Sequence, residues 1–528
     1  MHHQALRVDS RTQRRLRRRV HAPIPLLAAA ALWAAAAAAW AETPQASFAD
    51  APASLAEQAR AVPVGGALRL VAVPLATRTA DLELERFEVF TGSARVLVHE
   101  PGGKTSTLPP PDRAYFRGSI AGEPDSVAFL AVGDAGEVRG LAIGAGGTFV
   151  LGAETGAKAG ELLVARRAED VPGMTAPRGF ECAADALPVP VAPPDEGALE
   201  TAFLEQPTPS GEKAAALYSI VVAIETDVEL FNKFGSVHNE AAYIGDLMGA
   251  MSAIYYRDVN TTLRVNLVSL WTGAVTSDPW DQGTTIPALC QVGSYWHANH
   301  GGFPRGTVHF LSGKNTLAGV AWVGQLCVSD FDAAGTCAAG QWGGGYGVTL
   351  GLSGTFNPSN PNAVVWDLLG PTHEIGHNFN SPHTHCYNVV SGAGQEVDRC
   401  FSGEQIFFNN VLQNCYSGAT CVPTVGTANC GTQGNGNGTI MSYCHNIAPS
   451  FNANTTLSFG ATAAGVPHLF GNTPDRVSAR MNAYVASRSA ACRRLIDAPP
   501  ADFNGDGRSD VFVYRNGSWI EFPFWPGG

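Results

Sequence analysis

A chain of 528 residues is too long for one ordinary domain, and at 45% apolar residues it has material for a sizeable core. Only 15% of residues are charged while 59 are glycine and 34 proline, so a coiled coil or helical bundle is ruled out in favour of a loop-rich globular chain. The net charge of −12 argues against a nucleic-acid partner, because there is no basic surface to displace counterions.

The first forty-one residues read as an export signal. Seven arginines stand in the first nineteen residues, an apolar alanine-rich run follows to Trp40, and Ala39-Trp40-Ala41 supplies a small–x–small cleavage site. No other apolar run is long enough to span a bilayer, so the expected mature protein is secreted and has no stable membrane insertion.

From 42 to 185 the pattern is β-like. Leu68–Val73, Phe87–Phe90, Arg95–Val98, Ser126–Val132 and Thr148–Leu151 alternate or run apolar between glycine-rich turns. Residues 186–212 are rich in Pro, Glu, Thr and Ser and read as a linker. From 213 to 495 the character changes. Tyr218–Glu225 reads as a buried strand, Asn239–Arg257 as a helix, and Thr262–Leu270 as a strand. A short helix beginning at Ser294 and a strand at Thr307–Leu311 complete a β-α-β-α-β order, which indicates an α/β domain. Residues 496–528 differ again. Asp502, Asn504, Asp506 and Asp510 offer oxygen ligands at alternate positions, a calcium-loop spacing, although Val513 stands where an EF-hand needs Glu.

In an exported chain the cysteines are disulfide candidates. Ten of the eleven lie between Cys290 and Cys492, an even set, and Cys182 stands alone upstream. That parity suggests up to five bridges and one unpaired thiol, with connectivity open.

The chemistry concentrates at Thr372-His-Glu-Ile-Gly-His-Asn-Phe-Asn-Ser-Pro-His383. His373 and His377 stand one helical turn apart on one face, a spacing that suits a tetrahedral zinc. Glu374 is rotated about a quarter-turn from the first histidine, placed to act on a water at the metal as general base rather than to bind the metal. His383 is reached only through a sharp turn, where Asn380 tolerates left-handed backbone. Gly370-Pro371 precedes the motif, so the helix either bends there or starts late, with Pro371 in its first turn. His385 reads as a loop neighbour and Cys386 as a bridged cysteine.

These residues, with Gly438-Thr-Ile-Met441-Ser-Tyr443, resemble the metzincin metalloendopeptidases, and specifically the reprolysin/adamalysin branch. The resemblance implies an α/β metzincin catalytic domain: a twisted mixed sheet with helices, an active-site helix and a Met-turn at Met441, preceded by a β-rich propeptide. It implies His373, His377 and His383 as zinc ligands and Glu374 as base. An edge strand around Gly319, Val320, Ala321, Trp322 and Val323 would pair with a protein or peptide substrate. Residues 115–127 and 139–143 are similar to the family's propeptide. Met-x-Tyr resembles other metzincin branches, so Tyr443 reads as a distant fifth ligand, an oxyanion stabiliser or a buried structural tyrosine. Cys182 either fills the open zinc position of a latent precursor, or is a buried free thiol or an intermolecular bridge. The tail resembles one FG-GAP/VCBS repeat, which implies Ca2+.

The reading that results is a secreted zinc metalloendopeptidase made as a zymogen. Two others compete with it. One is an inactive adhesion protein on the same scaffold, which an intact Glu374 with three histidines counts against. The other is a zinc hydrolase of non-peptide amides, which the substrate-pairing edge strand counts against.

Overall fold

The computed structural model describes residues 43–133, 136–154, 162–170, 181–184, 187, 218–390, 396–408, 411–422, 438–447, 454–460, 476–489 and 492, and the strand backbones 511–515 and 518–522. The expected signal at 1–41, nearly all of the linker at 186–212 and the Asp502, Asn504, Asp506 and Asp510 loop lie outside the described residues.

Two large sheets organise the described chain, each of eight strands. The first is N-terminal and almost wholly antiparallel. In order across the sheet it runs Gln45–Ser47, Ala67–Leu75, Arg78–Phe87, Arg113–Ile120, Glu123–Gly133, Val138–Gly144, Gly147–Gly152 and Val164–Arg167. Strand side chains alternate between faces, and both faces of this sheet are used. Phe116, Leu130 and Leu151 join Leu68, Leu82 and the helix Pro52–Ala61 in one core. Their chain neighbours Tyr115, Phe129 and Val150 point the other way, into the core built around the helix Val237–Val259.

That helix is shaped to receive them. Gly245 and Gly249 stand one turn apart, and a Cβ at either would lie 2.2 Å from the Tyr115 hydroxyl or 2.6 Å from the Phe129 ring. Between the two glycines, Asp246 is fully buried, and Arg113 Nε and Arg139 Nη1 each donate to it at 2.8 Å. Charge-assisted bonds from two strands thus fix the sheet on the helix.

The second sheet is mixed. Its order is Glu181–Cys182, Ala318–Ala321, Tyr346–Leu350, Thr307–Leu311, Tyr218–Thr226, Thr261–Trp271, Phe90–Glu100 and Lys104–Leu108. The pairings from Tyr346–Leu350 across to Phe90–Glu100 are parallel, while Ala318–Ala321 runs antiparallel to its neighbour Tyr346–Leu350. The central parallel strands Tyr346–Leu350, Thr307–Leu311, Tyr218–Thr226 and Thr261–Trp271 are buried on both faces, as a sheet covered on both sides requires. Strands from both sides of the expected linker share this sheet: Phe90–Leu108 extends one edge and Glu181–Cys182 covers the other.

Two helices differ from the sequence expectation. The helix expected to begin at Ser294 spans Thr285–His300, with Pro287 accommodated in its first turn, where no intrahelical N–H is needed. The helix carrying the histidine motif spans Pro361–Asn378 and starts well before the motif, so Pro371 lies in its interior rather than in its first turn. The Asn360 side chain caps it by accepting from Ala363 N. Its far end is tied to the sheet: Asn378 Nδ2 donates to the carbonyls of Trp322 at 2.8 Å and Tyr346 at 3.2 Å, and Asn378 Oδ1 accepts from Thr307 Oγ1 at 2.6 Å.

Disulfides join Cys290–Cys337, Cys327–Cys492, Cys386–Cys415 and Cys400–Cys444. Cys421 is also disulfide-bonded, and among the described residues Cys182 is the free cysteine. No helix among the described residues is long and apolar enough to cross a membrane.

Replacing Asp246 by Ala would leave the Arg113 guanidinium, only 4% exposed, with no counter-charge nearer than the solvent-exposed Glu137 carboxylate at 4.0 Å. The expected loss is about 3 kcal/mol, read as a lowered urea midpoint, and an unchanged midpoint would show that the clamp contributes nothing.

Candidate metal centre

Three segments converge at the strand Ala318–Ala321, which is second from the margin of its sheet because Glu181–Cys182 lies outside it. The first is the helix Pro361–Asn378, which carries His373, Glu374 and His377, all fully buried. The second is the turn that follows. Asn380 takes φ +69°, the left-handed conformation that the sequence implied at this position, and Asn380 N donates back to His377 O at 2.8 Å. Arg480, from the helix Arg476–Ser487, locks the turn by donating from Nε to Asn380 O at 2.6 Å and from Nη2 to Asn380 Oδ1 at 3.2 Å. The chain then runs extended through His383, at φ −61° and ψ 148°. The third segment is the turn at Thr439–Tyr443, which lies under the helix.

The hydrogen bonds at Nδ1 decide what each imidazole can do. A carbonyl can only accept, so His373 Nδ1 donates to Ile440 O at 2.6 Å and His377 Nδ1 donates to Ser381 O at 2.7 Å. His383 Nδ1 faces both Glu404 oxygens, at 2.8 and 2.9 Å. A neutral imidazole protonated at Nδ1 carries its lone pair on Nε2. Burial, then the neighbouring imidazoles, push His373 well below the ordinary histidine range and His377 down to about 3, so both rings are neutral near pH 7. Yet His373 Nε2 and His377 Nε2 lie 3.1 Å apart, and His383 Nε2 is buried with no hydrogen-bond partner. Two facing lone pairs repel unless a cation lies between them.

The fourth member is Cys182. Its Sγ lies 3.2 Å from His377 Nε2 and 3.5 Å from Glu374 Oε2, and the four ligand atoms of Cys182, His373, His377 and His383 all fall within 4.8 Å of one another. Tetrahedral zinc would set nitrogen pairs about 3.3 Å apart and a nitrogen–sulfur pair roughly 3.5 Å apart. The donor set therefore fits a Zn2+-like ion by its chemistry, and the His373–His377 and Cys182–His377 separations lie close to the tetrahedral values. Cys182 reaches the centre on a two-residue strand that forms the margin of the sheet: Glu181 pairs with Ala318 and Cys182 with Gly319, in parallel, and Ala183 N donates to Gly319 O at 3.2 Å. Tyr443 Oη donates to Cys182 O at 2.8 Å. Trp322 and Val323 lie past the end of the strand.

Burial pushes the Glu374 carboxyl well above the ordinary range, opposed by the thiol hydrogen bond, and Glu374 Oε1 has no partner. Burial, followed by the charge of Glu374, likewise raises the Cys182 thiol. Two glycines make the room these groups occupy. A Cβ on Gly319 would lie 2.2 Å from Glu374 Oε1, and one on Gly376 would lie 2.6 Å from Met441 Sδ. Met441 is fully buried, and its sulfur sits against the motif helix through the gap at Gly376.

Residues 217–457 match the model of Reprolysin_5, the metallo-peptidase family M12. The M12-like segment contains the whole histidine motif and the Met441 turn and begins beyond Cys182, so the thiol comes to the centre from outside it. No curated protein matches the sequence. Among solved structures the chain is similar to metalloproteinase-II from Bacteroides fragilis, at 10% identity and TM-score 0.30, covering 66% of this chain and 91% of that one.

Sequence reasoning missed Glu404, Arg480 and the carbonyls of Ile440 and Ser381. Backbone acceptors leave no residue-type signal. Glu404 and Arg480 lie 21 and 100 residues from the groups they bind.

Because Cys182 is only 4% exposed, a charged thiol reagent should label it only after unfolding. Gly319→Val, which forces Glu374 off the strand, should open it to labelling in the folded protein. Rapid labelling of the unaltered protein would contradict the packing described.

Proposed function

We propose that this chain is a secreted zinc metalloendopeptidase, made as a precursor that Cys182 holds inactive. The observation that carries the reading is the inward convergence of three Nε2 lone pairs beside a buried, half-satisfied carboxyl. His373, His377 and His383 would hold Zn2+. The bound ion supplies Lewis acidity, polarising a scissile carbonyl and making water a nucleophile near neutral pH. Glu374 takes the proton from the attacking water through Oε1 or Oε2 and returns it to the leaving amine. Its apolar seat against Gly319 raises its proton affinity, which suits that shuttle.

Ala318–Ala321 orients an extended peptide by main-chain pairing. In the precursor that place is taken by Glu181–Cys182, and Cys182 Sγ, beside the three histidine nitrogens, would keep the attacking water out. Tyr443 Oη bonds the Cys182 carbonyl, and once that strand has left it would bond a substrate carbonyl instead.

The test is casein hydrolysis. Processed protein should lose activity in a chelator and regain it with zinc, and Glu374→Ala should lower the rate by at least about 1,000-fold. Cleavage that survives the chelator would eliminate the metal reading. For latency, unprocessed Cys182→Ala should cleave casein where the unaltered precursor does not. A Cys182→Ala precursor as silent as the original would rule out the thiol as inhibitor while leaving the peptidase reading intact.

A further inference from the structure

Two of the three imidazoles are oriented by neutral backbone carbonyls, whereas His383 is oriented by a carboxylate. Glu404 is 4% exposed and presents both oxygens to His383 Nδ1, at 2.8 and 2.9 Å. Its Oε2 is also bonded to His385 Nε2, and His385 is fully buried. The backbone fixes Glu404 just as firmly. It borders the hairpin of Gln405–Phe408 and Val411–Asn414, and Glu404 O accepts from Cys415 N at 3.0 Å. Cys415 is disulfide-bonded to Cys386, and Tyr416 N donates to His385 O at 3.0 Å. The hairpin that carries the carboxylate is thus bolted to the turn that carries both histidines.

We propose that Glu404 is a positioning residue of the metal centre, held by His385, that keeps His383 in the one tautomer and ring orientation that aim Nε2 at the ion. This inference rests on the metal reading above. A histidine that donates to a carboxylate is both oriented and made a stronger donor at its other nitrogen, and losing such a partner costs 10- to 100-fold in metal affinity. The Cys386–Cys415 disulfide and the hairpin serve this geometry, together with the bond from Val397 N to Thr384 O at 2.9 Å.

The experiment is zinc affinity of the full chain, by competition with a chromophoric chelator, together with the visible spectrum of the Co2+-loaded protein. Glu404→Gln keeps the side-chain size and removes the charge. It should weaken zinc binding about 10- to 100-fold and shift the Co2+ bands, while the melting temperature of the metal-free protein stays unchanged. His385→Asn leaves the carboxylate facing His383 but releases its hold, and should weaken zinc binding by less. It also serves as the second variant if Glu404→Gln does not fold. Zinc affinity within twofold of the unaltered protein in both variants overturns the proposal, as does a loss matched by an equal drop in metal-free melting temperature. If the unaltered chain itself binds no zinc, it is the metal reading that fails.

Discussion

The constraint on which the site depends is that each imidazole is tied at Nδ1 to an acceptor it cannot choose. The Ile440 carbonyl, the Ser381 carbonyl and the Glu404 carboxylate each belong to a different turn or hairpin. Together they force three lone pairs into one small volume that is closed to solvent. A buried arrangement of that kind is unfavourable by itself, since buried polar atoms without partners cost free energy. The surrounding fold has to over-determine it, and it does. Arg480 pins the Asn380 turn, Asn378 ties the end of the helix to the sheet, and two disulfides, Cys386–Cys415 and Cys400–Cys444, staple the loops beyond His383.

The same logic governs close approach. Functional groups here sit where the chain has no side chain to oppose them: Glu374 over Gly319, Met441 under Gly376, Tyr115 and Phe129 against Gly245 and Gly249. At none of the four is the glycine needed for an unusual φ. What it supplies is distance, and its replacement is felt through the partner group rather than through the backbone.

How far the sequence carried the reading follows the range of each interaction. The spacing of His373 and His377 is helical and local, so it was legible, as was the need for a turn at Asn380, where φ is +69°. The strands at Tyr218–Thr226, Thr261–Trp271 and Thr307–Leu311 were visible as apolar runs. The extent of the motif helix was not, because Gly370-Pro371 opposes a helix locally while capping by Asn360 and burial on every side favour it. Glu404 and Arg480 were silent for a different reason. Their partners are brought to them by disulfides and by helix packing, and a single sequence carries no record of which distant residues will meet. The pairing of Phe90–Glu100 with Thr261–Trp271 likewise joins segments separated by more than a hundred residues, and neither strand's pattern names the other.

The placement of N-terminal strands at opposite margins of the second sheet has a topological corollary for release. The Cys182 strand is anchored twice. Upstream it is continuous with the first sheet, which grips the helix Val237–Val259 through Asp246, and downstream it is continuous with Tyr218–Thr226. One peptide-bond scission, on either flank, severs one leash and leaves the other. If Cys182 is the inhibitor proposed above, a single scission would leave its strand tethered at the other end, and release would need a second cut or the undocking of the first sheet.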